Sequence, residues 1–133
     1  MKPPIETVRL SDRSKDLLIK IKRASGIPTW NVICRLAFCL SLRDKSPPPP
    51  ATEGQKPAIE ISWKVFGGEL ADIYGGLLKQ RYNKNNLSTL KISIEECLKR
   101  HIFRGLGSLD AATSAKNQGS LAGLFQTNIR NVS

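Results

Sequence analysis

Three cysteines (Cys34, Cys39, Cys97) and a single histidine (His101) are the side chains best suited to nucleophilic, redox or metal chemistry in this 133-residue chain. Their spacing does not favour it. No two cysteines form a C-x-x-C pair, and three scattered thiols with one imidazole do not make a zinc-ligand pattern. An odd cysteine count behind a start (Met1-Lys2-Pro3-Pro4) that lacks the apolar stretch of an export signal argues against a disulfide framework. The thiols fall on apolar helical positions, which reads as packed, inert sulfur. His101 has Glu96 and Lys99 near it in sequence and could act as a general acid or base. Its place near the end of a helical stretch instead reads as a surface residue compatible with the helix dipole. G-x-x-x-x-G-K-[ST], G-x-G-x-x-G and G-x-S-x-G are all absent, and the pairs Gly67-Gly68 and Gly75-Gly76 lack the lysine or hydroxyl that cradles phosphate. The expectation is no catalytic residue, no metal and no cofactor.

The chemistry the chain does offer is cationic. Lys and Arg number 21 against 11 Asp and Glu, a formal +10. The excess is +6 over residues 1–45 and +4 over 46–133, so it is not a detachable basic tail. Such an imbalance in a short chain points to an anionic partner, nucleic acid first. Five bases fall in one segment: Arg13, Lys15, Lys20, Lys22 and Arg23. At 100° per residue, Arg13, Lys20 and Arg23 share one stripe and Lys15 and Lys22 another, both flanking an apolar Leu17/Leu18/Ile21 face. A second group, Lys79, Arg81, Lys84 and Lys91, surrounds a polar stretch. Lys and Arg on helix flanks meet phosphate oxygens, which positions a protein without reading bases. Only Thr7 and Arg9, on the outer face of a short strand, could read base edges. Aromatic residues make up 6% of the chain, too few for a single-strand stacking platform. A duplex backbone is the better match.

The elements that position these groups can be read from periodicity. Ile5 to Leu10 alternates as a strand, with Val8 and Leu10 on one face. Ser11 is a good N-cap for a helix that stops at Gly26. Pro28 or Thr29 opens a second helix through Trp30, Ile33, Cys34, Ala37, Phe38, Leu40 and Leu42. That helix is apolar around much of its circumference, and a partner subunit is expected to cover part of it. Pro47 to Pro50 mark a semi-rigid spacer. Ile59, Ile61, Trp63 and Val65 alternate as a second strand. Glu69 to Tyr82 reads as a helix with Leu70, Ile73, Tyr74, Leu77 and Leu78 inward, Gly75-Gly76 marking either a weak point or a close approach between helices. Ser93 caps a last helix running from Ile94 to about Leu106. From Gly107 the chain reads as a flexible tail or docking arm, with apolar islands at Leu109 and at Leu121, Leu124 and Phe125.

The organisation expected is a unit at 1–43, a spacer at 44–58, a strand–helix–helix half at 59–106 packing with the first as one domain, and a tail at 107–133. The class is mainly α with short β-strands. The order strand, basic helix, glycine turn, apolar helix resembles a ribbon-helix-helix unit, in which antiparallel strands of two chains pair and enter the major groove. Further residues resemble the DndE family of bacterial DNA phosphorothioation proteins. They are Val8-Arg9-Leu10-Ser11, Ser25 to Asn31, Cys34-Arg35-Leu36-Ala37, Phe66-Gly67-Gly68-Glu69 and Asp72-Ile73-Tyr74, with the Gly26-Ile27-Pro28-Thr29-Trp30-Asn31 turn the most distinctive. The resemblance covers about residues 5–110. It implies a ribbon-helix-helix-like core with additional helices, a homotetramer, and binding of nicked double-stranded DNA through lysine-rich surfaces. It also implies partnership with the other Dnd sulfur-modification proteins, which carry the enzymatic steps. The expectation is therefore a cytoplasmic, non-catalytic DNA-binding accessory subunit. Its expected contacts are Arg9, Arg13, Lys15, Lys20, Lys22, Arg23, Lys79, Arg81, Lys84 and Lys91. The rivals are a sequence-specific ribbon-helix-helix repressor, a nicking nuclease and a scaffold that meets only acidic proteins.

Overall fold

The computed structural model describes residues 2–50 and 56–114. Strand β1 (Thr7–Ser11) leads directly into helix α1 (Asp12–Ser25). The Ser11 hydroxyl accepts from the Ser14 amide at 3.3 Å, and Asp12 supplies the carboxylate that the first turn favours. Gly26 ends α1 with a left-handed φ of 76°, its amide returning to the Lys22 carbonyl at 3.0 Å. Helix α2 (Trp30–Arg43) follows, then strand β2 (Pro57–Ser62), a short helix α3 (Trp63–Gly67), a 3-10 turn at Gly68–Leu70 and helix α4 (Ala71–Lys84). A second 3-10 turn at Leu87–Leu90 precedes the long helix α5 (Ile94–Ser114).

β1 and β2 pair antiparallel, Thr7 facing Ser62 and Leu10 facing Ile59, with an irregularity between Leu10 and Ser11. The ribbon is thus closed within one chain, where the ribbon-helix-helix reading expects strands from two. β2 is also shorter than its alternation suggests. The Ser62 hydroxyl accepts from the Val65 amide and turns the chain into α3. Trp63 and Val65 accordingly sit on a helix, Trp63 in the core and Val65 53% exposed.

Phe38 of α2 lies at the middle of the core. Its ring meets Phe66 of α3, Tyr74 of α4 and His101 of α5 edge-on at centroid distances of 6.2, 6.3 and 6.0 Å. Leu18 and Ile21 of α1 and Leu98, Ile102, Leu106 and Leu109 of α5 complete the interior. The chain's own helices therefore cover most of α2, and the partner subunit expected for that purpose is not required. Cys34 and Cys97 are packed inside, but Cys39 is exposed. The unpartnered apolar surface lies elsewhere. On α4 and the turn before it, Leu70, Ile73 and Leu77 face outward, Ile73 being 57% exposed, where periodicity put them inside. Gly75 is a close approach, but to Pro4 and Trp63 of the same chain, while Gly76 is open.

α5 is the second correction. It runs to Ser114, eight residues past the expected end at Leu106. Leu98, Ile102, Leu106 and Leu109 keep one buried stripe going through the glycines. Ser108 and Thr113 turn their hydroxyls back onto the carbonyls of Arg104 and Leu109. Leu121, Leu124 and Phe125 lie outside the described residues.

The most extensive packing is between α2 and α5. Its tightest point is Gly105, where an added Cβ would stand 1.8 Å from the Ala37 carbonyl oxygen. Two backbones touch there, and no rotamer change can relieve a methyl group. Gly105→Ala is expected to cost roughly 3 kcal/mol or more of folding stability. Gly107→Ala, with nothing within 4 Å of the new methyl, is expected to be neutral or to stabilise by up to about 1 kcal/mol. Denaturant melts of the two variants check this; equal effects would contradict the packing described.

Candidate nucleic-acid interface

The α2–α5 contact carries a buried polar node. Ser41 and His101 are both buried, with Ser41 Oγ 2.8 Å from His101 Nδ1. Arg104 Nε donates to the same Oγ at 2.8 Å, so the hydroxyl proton is free to go to an unprotonated Nδ1. Nε2 has no hydrogen-bond partner among the described residues. Burial, then the charges of Arg104 and Arg81, push the His101 pKa down to about 4. The sequence reading of His101 as a surface residue is therefore overturned: the ring is neutral and fully enclosed. A hydroxyl beside an imidazole resembles a nucleophile and its base, but this pair is closed to substrate and its oxygen is already occupied by a guanidinium. No group of three His, Cys, Asp or Glu side chains among the described residues could hold a metal ion. Burial also raises the Cys34 thiol to about 12 and the Cys97 thiol to about 11, so neither ionises readily.

Two of the basic residues are spent on this node. Arg104 also donates to the Ser41 and Asp44 carbonyls. Arg81 donates to the carbonyls of Leu42 at 2.6 Å and Asp44 at 2.8 Å. The Ser41 carbonyl also accepts from the Asp44 amide at 3.1 Å, and the two guanidinium groups tie down the carbonyls at and just past the C-terminus of α2. Arg81, expected at a DNA surface, is a structural clamp.

The remaining candidates divide by how firmly they are held. Arg9 pairs with Glu60 across the ribbon at 3.3 Å, both exposed. Lys20 stands 3.3 Å from an Asp110 oxygen on α5. The Arg13 guanidinium lies 5.8 Å from the centroid of the Phe103 ring. Lys15, Lys22 and Arg23 are exposed, and nothing on the described part of the chain pairs with them. The same holds for Lys79 and Lys84 on α4 and for Lys91, which sits at a left-handed φ of 58° after the second 3-10 turn. The two groups ride on different supports. α1 lies against α5, α2 and the strands, whereas α4 lies against α3 and α5.

One member of the second group was illegible from sequence. Asn85 donates to the Lys45 carbonyl at 3.4 Å, which brings the end of α2 beside the end of α4 and sets exposed Lys45 near Lys84. Forty residues separate the pair, and no local pattern signals that meeting.

This architecture defines a mainly α protein with a closed two-stranded ribbon, a basic first helix and no described helix long and apolar enough to cross a membrane. A family model described as "DNA sulphur modification protein DndE" matches residues 7–117, and the chain belongs to that family. A crystal structure of DndE from Escherichia coli B7A, described as involved in DNA phosphorothioation modification, has the same fold. Its TM-score is 0.62 at 23% identity, over 79% of this chain and 96% of that one. No curated protein matches the sequence.

The enclosed imidazole has a measurable consequence. The unfolded chain takes up the His101 proton near pH 6.5 and the folded protein only near 4. Acid therefore favours unfolding across that window, and stability present above pH 6.5 falls by about 3 kcal/mol on descent to pH 4. Asp44, held below its usual range first by hydrogen bonds from Ser46, adds its own loss only at lower pH. Denaturant titrations at pH 7, 5.5 and 4 should show this slope in the wild type and a flatter one in His101→Leu. Identical slopes would place the titration elsewhere.

Proposed function

We propose that this chain is a DNA-binding, non-catalytic subunit of the DNA phosphorothioation machinery that grips the sugar–phosphate backbone of nicked duplex DNA. It would act in the cytoplasm as a homotetramer beside the other Dnd sulfur-modification proteins. One observation carries the reading. The last turn of α1 presents Lys22 and Arg23 to solvent with no acidic partner among the described residues, on a chain of net charge +10. A cation that has no ion pair to break gives its full attraction to a phosphate, and each phosphate so met releases condensed counterions. Lys15 on the same helix, and Lys45, Lys79, Lys84 and Lys91 around α4, extend the supply of free charge. Arg13 and Lys20 can join them, Lys20 only by giving up Asp110.

Self-association draws support from the outward apolar row Leu70, Ile73 and Leu77, a surface that water leaves unsatisfied. Base reading by the ribbon draws none. Arg9, which a sequence-specific repressor would need at a base edge, faces Glu60 instead.

Because the grip is ionic, binding should fall steeply between low and moderate salt, with a log–log slope of about −0.9 per phosphate contacted. Lys22→Glu with Arg23→Glu should weaken binding by at least tenfold at low salt and leave the assembly size unchanged. Gel-shift or anisotropy titrations with nicked, intact and single-stranded DNA at two salt concentrations test both statements. A flat salt response, or unchanged affinity in the double variant, would end this reading.

A further inference from the structure

The turn from Gly26 to Asn31, the most distinctive stretch of the sequence, has no part in the function described so far. Its effect on the surface is specific. By reversing the chain at Gly26 it sets Trp30, the first residue of α2, against the last turns of α1. Ile19, Lys22, Arg23 and Trp30 together line a shallow concavity of about 410 Å3.

The chemistry of that concavity is two-sided. Lys22 and Arg23 carry charge that no described residue pairs with. Ile19 is 37% exposed, an aliphatic side chain left in water among cations. Trp30 is partly exposed, yet its Nε1 is covered. Trp30 therefore meets the concavity without offering its N–H, which leaves it suited to apolar contact or stacking rather than to hydrogen bonding. No acidic residue lines the site. Its ligand must be anionic on one side and flat and apolar on the other, which is the description of a single nucleotide.

We propose that this concavity holds the nucleotide at a strand end of nicked duplex DNA, its phosphate between Lys22 and Arg23 and its unstacked base against Trp30 and Ile19. This rests on the DNA-binding reading above and assigns the part of it that distinguishes a nick. An intact duplex offers phosphates to the same cations, but its base faces are covered by their neighbours in the stack. Only an interrupted strand can present a base face at small cost, and base–aromatic stacking is tolerant of which base it is.

The test uses the emission of Trp30 in the full chain. Titration with nicked duplex should change the emission, and the change should vanish in Trp30→Phe, where only the buried Trp63 remains. Trp30→Ala should bind nicked duplex about tenfold more weakly with an unchanged salt slope, because stacking releases no counterions. Lys22→Gln with Arg23→Gln should instead lower that slope by about 1, the one phosphate held between them. An equal emission change with intact duplex of the same sequence, or with inorganic phosphate alone, overturns the proposal. So does wild-type affinity in a folded Trp30→Ala. Should that variant not fold, acrylamide quenching of the wild-type protein decides instead: nicked duplex must shield Trp30, and absence of shielding overturns the assignment. If the wild type binds no DNA at all, the broader reading falls; if it binds with Trp30 indifferent, only this site does.

Discussion

The crossing of α2 and α5 at Gly105 is the constraint on which the remaining geometry depends. Because residue 105 has no side chain, α5 can lie directly on the Ala37 carbonyl. That contact fixes the register of the two helices. One turn further along α2, Ser41 then falls opposite His101 and Arg104, and the carbonyls of Ser41 and Leu42, with that of Asp44 just past the helix, fall within reach of Arg104 and Arg81. A wider crossing would draw the buried Ser41 hydroxyl away from the enclosed imidazole, and each buried polar group left unsatisfied costs on the order of 1–3 kcal/mol. The backbone contact and the polar clamp are thus mutually dependent. The same α5 carries the basic helix, since Lys20 meets Asp110 and Arg13 lies over Phe103 on its outer turns.

The cations of the chain divide into two populations. Arg81 and Arg104 are arginines and are turned inward, where a planar fork can meet several carbonyls at once. The unpaired ones are mostly lysines, held by flexible stems and strongly hydrated. This is the division expected of a surface that attracts a polyanion without imposing one fixed geometry on it. It also explains why net charge alone overstates the candidate interface. Of ten residues expected there, Arg81 is used by the fold and Arg9 and Lys20 are already paired.

Local signals were legible wherever the residues that make an element are neighbours in sequence. The Ser11 cap, the Gly26 stop and the Leu18/Ile21 face of α1 are all of that kind. The Ser62 cap was equally local, but its signal was masked by the alternation of Ile59, Ile61, Trp63 and Val65, which runs across the cap without a break. The end of α5 is illegible in sequence because Gly107 and the small residues after it look like a helix end, whereas the buried stripe continues to Leu109. His101 and Arg81 could not be assigned from sequence at all, since their roles come from carbonyls and a hydroxyl 37 to 60 residues away. Leu70, Ile73 and Leu77 have core-like spacing but face outward, and periodicity cannot distinguish an interior from an interface.

The ribbon shows how one change of partner alters what a motif can do. With β2 supplied by the same chain, β1 is paired without a second molecule, and its outward residues become cross-strand neighbours of β2. Arg9 then lies opposite Glu60 and is electrostatically complemented within the fold. For Arg9 to reach a base edge it would have to leave that carboxylate; Lys22 and Arg23 give up nothing to reach a phosphate. The pair is exposed and weak, so the preference is modest per residue, but it acts in one direction. Charge that is unpaired among the described residues of α1 and compensated on the ribbon makes the helix, rather than the strands, the better-placed surface for the DNA strand proposed above.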